Sequence, residues 1–201
     1  MEHNTFNPKE QEFDLSSKIV VGLERVSGVF KILLWEKAKR VGLSPIQIQL
    51  LIFIAFHKQE LCNVSHLAKE FNVTKPTISD AIKVLEHKGI VEKDFSSADS
   101  RSFSIFLSPS GKELVSEVSD FANPLKTHLK GFSQDTLESL FGTLSELIYK
   151  LNQSGILTIQ RTCYGCSFYD KNEDSDFCNL LGKALLPQDI RIDCPEFVES
   201  K

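Results

Sequence analysis

The chain has 201 residues, 41% apolar and 25% charged, which suits one large domain, or a domain with an appendage, and not a disordered chain. Its net charge of −4 does not suggest a nucleic-acid binder, but residues 163–201 hold eight acids against four bases, so residues 1–162 are neutral and the acidity belongs to the C-terminal segment. The longest apolar run, residues 50–56, ends at His57, far short of the ~18–20 residues of a membrane span, and residues 1–10 show no basic-then-apolar leader; a cytoplasmic protein with no membrane partner is the expectation.

Residues 1–14 are polar and are expected to form a loose N-terminal extension. From Leu15 apolar side chains recur at steps of three and four (Ile19, Leu23, Val26, Phe30, Leu33, Leu34), and the pattern stops at Gly42; a helix of roughly seven turns is predicted. Ser44, Pro45 and Gln47 then read as a capping box with proline at the first helical position, opening a nearly all-apolar and therefore buried helix over 46–56. Helices are predicted at 64–71 and 75–87, closed by a left-handed Gly89. The period then changes to two. Val91, Lys93 and Phe95, and later Phe103, Ile105 and Leu107, predict a hairpin whose flexible tip is the turn-rich stretch 96–100. Helix resumes near Pro109 and is predicted to run to about Lys130 with a kink at Pro124, and Ser133 caps a last helix ending near Gly155.

The centre of interest is residues 63–107. Two short helices joined by a tight turn at Asn72-Val73 make a helix-turn-helix. Ile78, Ala81, Ile82 and Leu85 form the buried stripe of the second helix, which turns Lys75, Pro76, Thr77, Ser79, Asp80 and Lys83 outward behind the N-cap Thr74. Such a helix can enter a major groove, with Lys75 and Lys83 on phosphates and Thr77 and Ser79 on bases or phosphates. Asp80 can accept from a cytosine amino group or be a solvated acid. Arg101 lies just beyond the hairpin tip, where an arginine can enter a minor groove while its neighbours, Ser102 among them, span the backbone; Asp99 is spaced to orient it.

Here the chain resembles a known family. Asp99-Ser100-Arg101 followed by Leu107-Ser108-Pro109-Ser110-Gly111 is similar to the wing signature of MarR-type winged-helix repressors, Asp-x-Arg then Leu-Thr-x-x-Gly, with Ser108 in place of the threonine. Leu67-Ala68, residues 74–85 and Gly89-Ile90-Val91 fit the same pattern, and the resemblance spans about residues 15–151. It implies a homodimer with interlocked first and last helices, a pseudo-palindromic double-stranded DNA operator read by two recognition helices and two wings with Arg101 in the minor groove, and repression relieved by a small-molecule effector or an oxidant. The residues themselves agree on dimerisation, because the first and last helices carry more apolar positions than one small winged domain can cover. Half-sites would then lie ~10 bp or a multiple apart. Some relatives sense peroxide through a cysteine early in the first long helix. This chain has none there, and that mechanism is not carried over. Others bind aromatic acids between the dimer helices and the reading head; Phe30, Trp35 and Phe56 could line such a pocket, but read first as core.

The fold class expected is mainly α with a small β-hairpin wing: a winged helix-turn-helix with long dimerisation helices and a small metal-stapled tail. Its parts are an extension (1–14), a DNA-binding and dimerisation domain (15–155, with the helix-turn-helix at about 63–89 and the wing at about 90–108) and a cysteine-rich segment (156–201). In that segment the spacing is Cys163-x2-Cys166-x11-Cys178-x15-Cys194. A Cys-x-x-Cys turn lets two thiolates face one metal, and two more complete a tetrahedron suited to Zn²⁺; an iron–sulfur cluster suits the same four, and free thiols or disulfides remain. About forty residues with few apolar side chains need such a staple. Residues 191–196 resemble the ending of a cysteine-bearing subgroup of the same family. Cys62 reads as a small core residue, and the scattered His57, His66, His87 and His128 as surface or capping groups. No phosphate-binding glycine loop, catalytic triad signature or His-Glu-x-x-His is present, so an enzyme is not expected. The rival is an interaction or adaptor module that binds no DNA.

Overall fold

The structure is a computed structural model, which describes residues 4–95, 103–171 and 175–200. A short helix α1 (Pro8–Gln11) precedes the long α2 (Leu15–Val41). The N-terminal extension is therefore partly helical rather than loose. The Asp14 carboxylate caps α2 by accepting from the Ser16 and Ser17 backbone N–H groups, and Gly42, at φ 66°, ends it in the left-handed region. The chain bends by 91° into α3 (Pro45–Phe56), where the Ser44 N–H donates to Gln47 Oε1 at 2.8 Å. No single helix among the described residues is long and apolar enough to cross a membrane.

α3 is the spine of the core. Ile48, Leu50, Leu51, Phe53 and Ile54 are buried against α4 (Val64–Glu70), α5 (Lys75–His87) and α6 (Pro109–Val118). The turn between α4 and α5 is tight because Asn72 takes φ 50°, which asparagine tolerates better than most residues, and the Val73 N–H returns to the Ala68 carbonyl at 3.0 Å. After Gly89 (φ 68°), β1 (Val91–Asp94) pairs antiparallel with β2 (Ser104–Leu107), Val91 opposite Leu107. The Ile105 N–H donates to the Cys62 carbonyl at 2.8 Å, tying the hairpin to the start of the helix-turn-helix.

The expected helix over 109–130 is two helices. α6 stops at Val118 and α7 covers Asn123–Leu129. Pro124 lacks an N–H and its ring would strike the carbonyl four residues back, so the chain restarts with proline in the first turn instead of kinking. α8 (Gln134–Gln153) is capped by Ser133 and followed by Gly155 at φ 75°.

The C-terminal segment has a fold that the spacing of its cysteines did not foretell. β3 (Tyr169–Lys171), β4 (Asp176–Cys178) and β5 (Lys183–Leu185) form an antiparallel sheet in that order. A small core of Cys163, Leu185 and Ile190 packs with Tyr164 and Tyr169 against Phe141 of α8.

One expectation about the core is corrected. Phe30, Trp35 and Phe56 are 43%, 54% and 67% exposed, so they are not core of this chain. The first two lie on α2, of whose 27 residues only Leu34 and Ala38 are buried, and Ile19, Leu23, Val26, Val29 and Ile32 of the same helix are exposed with them. Phe56 ends α3 beside the cavity between head and tail.

Candidate nucleic-acid interface and cysteine cluster

The face of α5 follows from its amphipathic pattern. Ile78, Ala81, Ile82 and Leu85 are buried; Thr74, Lys75, Pro76, Thr77, Asp80 and Lys83 are exposed and Ser79 is half-buried. Thr74 caps the helix, its Oγ1 accepting from the Thr77 N–H at 3.3 Å and lying 2.8 Å from the Thr77 hydroxyl. That bond engages the Thr77 hydroxyl in the free protein. Lys83 and Asp80 pair with each other at 3.1 Å, both largely in solvent, so the lysine is held along the face at little energetic cost. Lys75 has no ion-pair partner among the described residues. Asp99, Arg101 and Ser102 lie outside the described residues.

The base of the wing is built around Ser108 and Gly111. The buried Ser108 hydroxyl donates between the Gly89 carbonyl (2.7 Å) and the Ile90 carbonyl (3.0 Å) and accepts from the Gly111 N–H (3.1 Å). One side chain thus fixes the end of α5, the start of β1 and the first turn of α6. The Leu107-to-Gly111 motif is a hinge-pin for the wing.

The four tail cysteines converge. Cys163, Cys166, Cys178 and Cys194 line one small, partly open cavity of about 30 Å³ with Phe168, Leu180, Leu181 and Leu185, and all are free thiols. The Arg191 backbone N–H donates to Cys163 Sγ at 3.2 Å and its guanidinium to Cys194 Sγ at 3.8 Å. Burial pushes the Cys163 thiol up, the Arg191 N–H opposes this, and the three other cysteines add to the rise. Among the described residues no three His, Cys, Asp or Glu side chains are positioned to hold a metal ion as they stand.

The tail sits on the helix-turn-helix through a network the sequence reading missed. The Arg161 guanidinium forks onto Glu70, the last residue of α4, at 2.9 and 3.0 Å, and its Nε donates to Asp193. The other Asp193 oxygen lies 2.7 Å from His57 Nε2, and His57 Nδ1 lies 2.9 Å from the Phe53 carbonyl. Burial opposes the charge on Arg161 and on Asp193, yet the hydrogen bonds outweigh it, holding the guanidinium protonated and the Asp193 carboxyl below the usual carboxylate range. Nothing local could have disclosed this, since Glu70 and Arg161 are 91 residues apart.

Residues 41–102, less than a third of the chain, match the family model for the MarR family. The chain superposes on Staphylococcus aureus MepR in a MepR–DNA complex with a TM-score of 0.56 at 24% identity, over 64% of this chain and 94% of that one. The fold is the MarR-type winged helix. A MarR transcriptional regulator of Methanosarcina mazei Go1 gives the same TM-score at 21% identity, over 67% of this chain and 97% of its own. The HTH-type transcriptional regulator BilQ of Clostridioides difficile is 28% identical over 83 residues, 41% of this chain. The chain spans 56% of that relative's length. MarR-family regulators are DNA-binding proteins rather than enzymes. In these terms α4 and α5 are the MarR-type helix-turn-helix and β1–β2 its wing.

Proposed function

We propose that the protein is a homodimeric transcriptional repressor that reads a pseudo-palindromic duplex operator with α5 in the major groove and the wing residue Arg101 in the minor groove, with Asp99 and Ser102 beside it. The observation that carries this reading is the exposed face of α5, where Thr74, Lys75, Pro76 and Thr77 at the helix start are continued by Asp80 and Lys83 while the opposite stripe is buried. A fold shared with a regulator solved on DNA supports it. Dimerisation is supported by the apolar side chains that α2 exposes, among them Ile19, Leu23, Val26, Phe30 and Trp35, and by a groove of about 580 Å³ where Ile19 and Leu23 meet Leu140, Leu144 and Leu147. A small-molecule effector would relieve repression.

The four cysteines are read as zinc ligands. The chemistry fits: four thiols face one cavity with room for a single ion, and two N–H donors aim at sulfurs, as they would at thiolates. Binding would require the sulfurs to close in, which a short-stranded tail can accommodate.

Selecting bound fragments from the source genome and titrating the best duplex tests the regulator reading. Expected is binding whose affinity falls steeply with salt, with a slope reduced by about one on Lys75→Ala and a loss of affinity on Arg101→Ala without loss of the dimer. Affinity that is salt-independent, or absent, overturns it and leaves an adaptor module. Elemental analysis of protein purified without oxygen is expected to give zinc at one per chain; iron with sulfide would make the same cysteines a cluster site.

A further inference from the structure

The geometry points to Arg161 as a positioning residue that couples the cysteine unit to the reading head, so that zinc binding at the cysteines is felt at the N-terminus of α5. The inference rests on the zinc and operator readings above and adds how the two sites communicate.

Two stretches of chain meet at this residue, and both run directly into the cysteines. Arg161 lies two residues before Cys163, and Asp193 one before Cys194. They pair as a parallel bridge, in which the Cys194 N–H donates to the Arg161 carbonyl at 3.1 Å, while the Cys163 N–H donates to the Arg191 carbonyl at 3.1 Å. The backbone that carries Arg161 is therefore fixed by the backbone that carries the sulfurs. From there the guanidinium grips Glu70 with two bonds and stands 5.6 Å over the Phe53 ring. Arg161 is mostly buried, so the fork is little screened and has one geometry. Glu70 is followed by the Asn72 turn and Thr74, the cap of α5. Drawing the sulfurs onto an ion moves the bridge, the bridge moves the fork, and the fork pulls the end of α4.

The test needs no DNA. Amide hydrogen exchange across residues 64–74 is compared in the full-length protein with one zinc per chain and after chelation under reducing conditions. The comparison is made for the wild type and for Glu70→Gln, a variant that leaves every tail residue intact. Zinc is expected to slow exchange in the wild type by at least roughly tenfold, the factor that one charge-assisted hydrogen bond supplies, and by less than about twofold in Glu70→Gln at equal zinc content. Equal responses in the two proteins, no response in the wild type, or no zinc uptake overturn the coupling. Duplex titrations of the same samples separate the two readings. Zinc-dependent protection in a protein that binds no duplex refutes the operator reading alone, and duplex affinity indifferent to zinc refutes the coupling alone.

Discussion

Gly111→Ala should unfasten the wing, and the size of the effect follows from one distance. A Cβ at position 111 would stand 2.1 Å from the Ile90 carbonyl oxygen, 3.2 Å from its carbon and 3.4 Å from Leu107 Cδ2. Ordinary contact begins at 3.4 Å, so α6 and the start of β1 must separate by about 1 Å. The oxygen cannot simply turn aside, because it accepts both the Ser108 N–H at 3.1 Å and the Ser108 hydroxyl at 3.0 Å. Overpacking of this kind costs about 1–3 kcal/mol and two weakened hydrogen bonds about 1–2 more, while alanine returns ~1 kcal/mol of helix propensity. The net loss is about 1–4 kcal/mol, or ~2–16 °C in the melting midpoint of a chain of this length. Thermal denaturation followed by circular dichroism at fixed protein concentration measures it, concentration being held because a dimer's midpoint depends on it. A midpoint within ~1 °C of the wild type would show that α6 and β1 are not clamped at Ile90, and the account of the wing's base would fail.

Two further outcomes follow from buried groups near the helix-turn-helix. Burial first, and Glu60 second, push the Cys62 thiol up to about 11, so at pH 8 only about one molecule in a thousand carries its thiolate; mass spectrometry after alkylation should find Cys62 unlabelled until denaturant is added, and labelling at the rate of an exposed thiol would contradict its place in the core. Burial lowers the pKa of His66, aided by Arg161, Lys69 and His57 and opposed by Glu70, and its Nε2 lies 3.6 Å from Glu70 without a hydrogen bond. The unfolded chain therefore takes up this proton first, so stability present above pH ~6.5 declines as pH falls below it and levels off under the folded value; His66→Gln should flatten that part of a pH series of urea midpoints, and an unchanged slope would assign it to other groups.

What was legible in the sequence was what is local. The face of α5 could be read because a 3.6-residue period sorts Ile78, Ala81, Ile82 and Leu85 from their neighbours, and Thr74 and Gly89 mark its ends. The wing's strands showed their alternation. Pro124 was visible as a disruption, but whether proline kinks a helix or opens a new one depends on what the preceding turn packs against, here the turn at residues 119–122. Phe30 and Trp35 look like core in composition, and only the placement of the other helices shows that this chain leaves them bare. The convergence of four cysteines separated by 2, 11 and 15 residues is a tertiary fact, as is the Arg161 fork. Ion pairs across 91 residues leave no period and no motif.

The placement of the tail gives those long-range contacts their mechanical meaning. α8 turns Leu140, Leu144 and Leu147 toward the groove shared with α2, the surface proposed to meet a second copy. From the same helix Phe141 packs on the cysteine unit, and Tyr149 lies 6.1 Å from Tyr164. On its other side the unit holds α4 through Arg161, and the Thr158 hydroxyl donates to the Lys69 carbonyl at 3.0 Å. The cysteine unit is thus wedged between the helix that would set the dimer axis and the helix that carries α5. In a two-fold reader the distance between recognition helices must match one turn of duplex, about 34 Å, and that distance is fixed by the angle between these two parts. Packed interiors shift between discrete arrangements rather than deforming smoothly, so under the coupling proposed above a wedge whose internal spacing changed on metal binding would change that angle as a step. If the cysteines hold an ion and α5 reads an operator as proposed, a tail attached anywhere else on the surface would hold that ion without reaching the DNA.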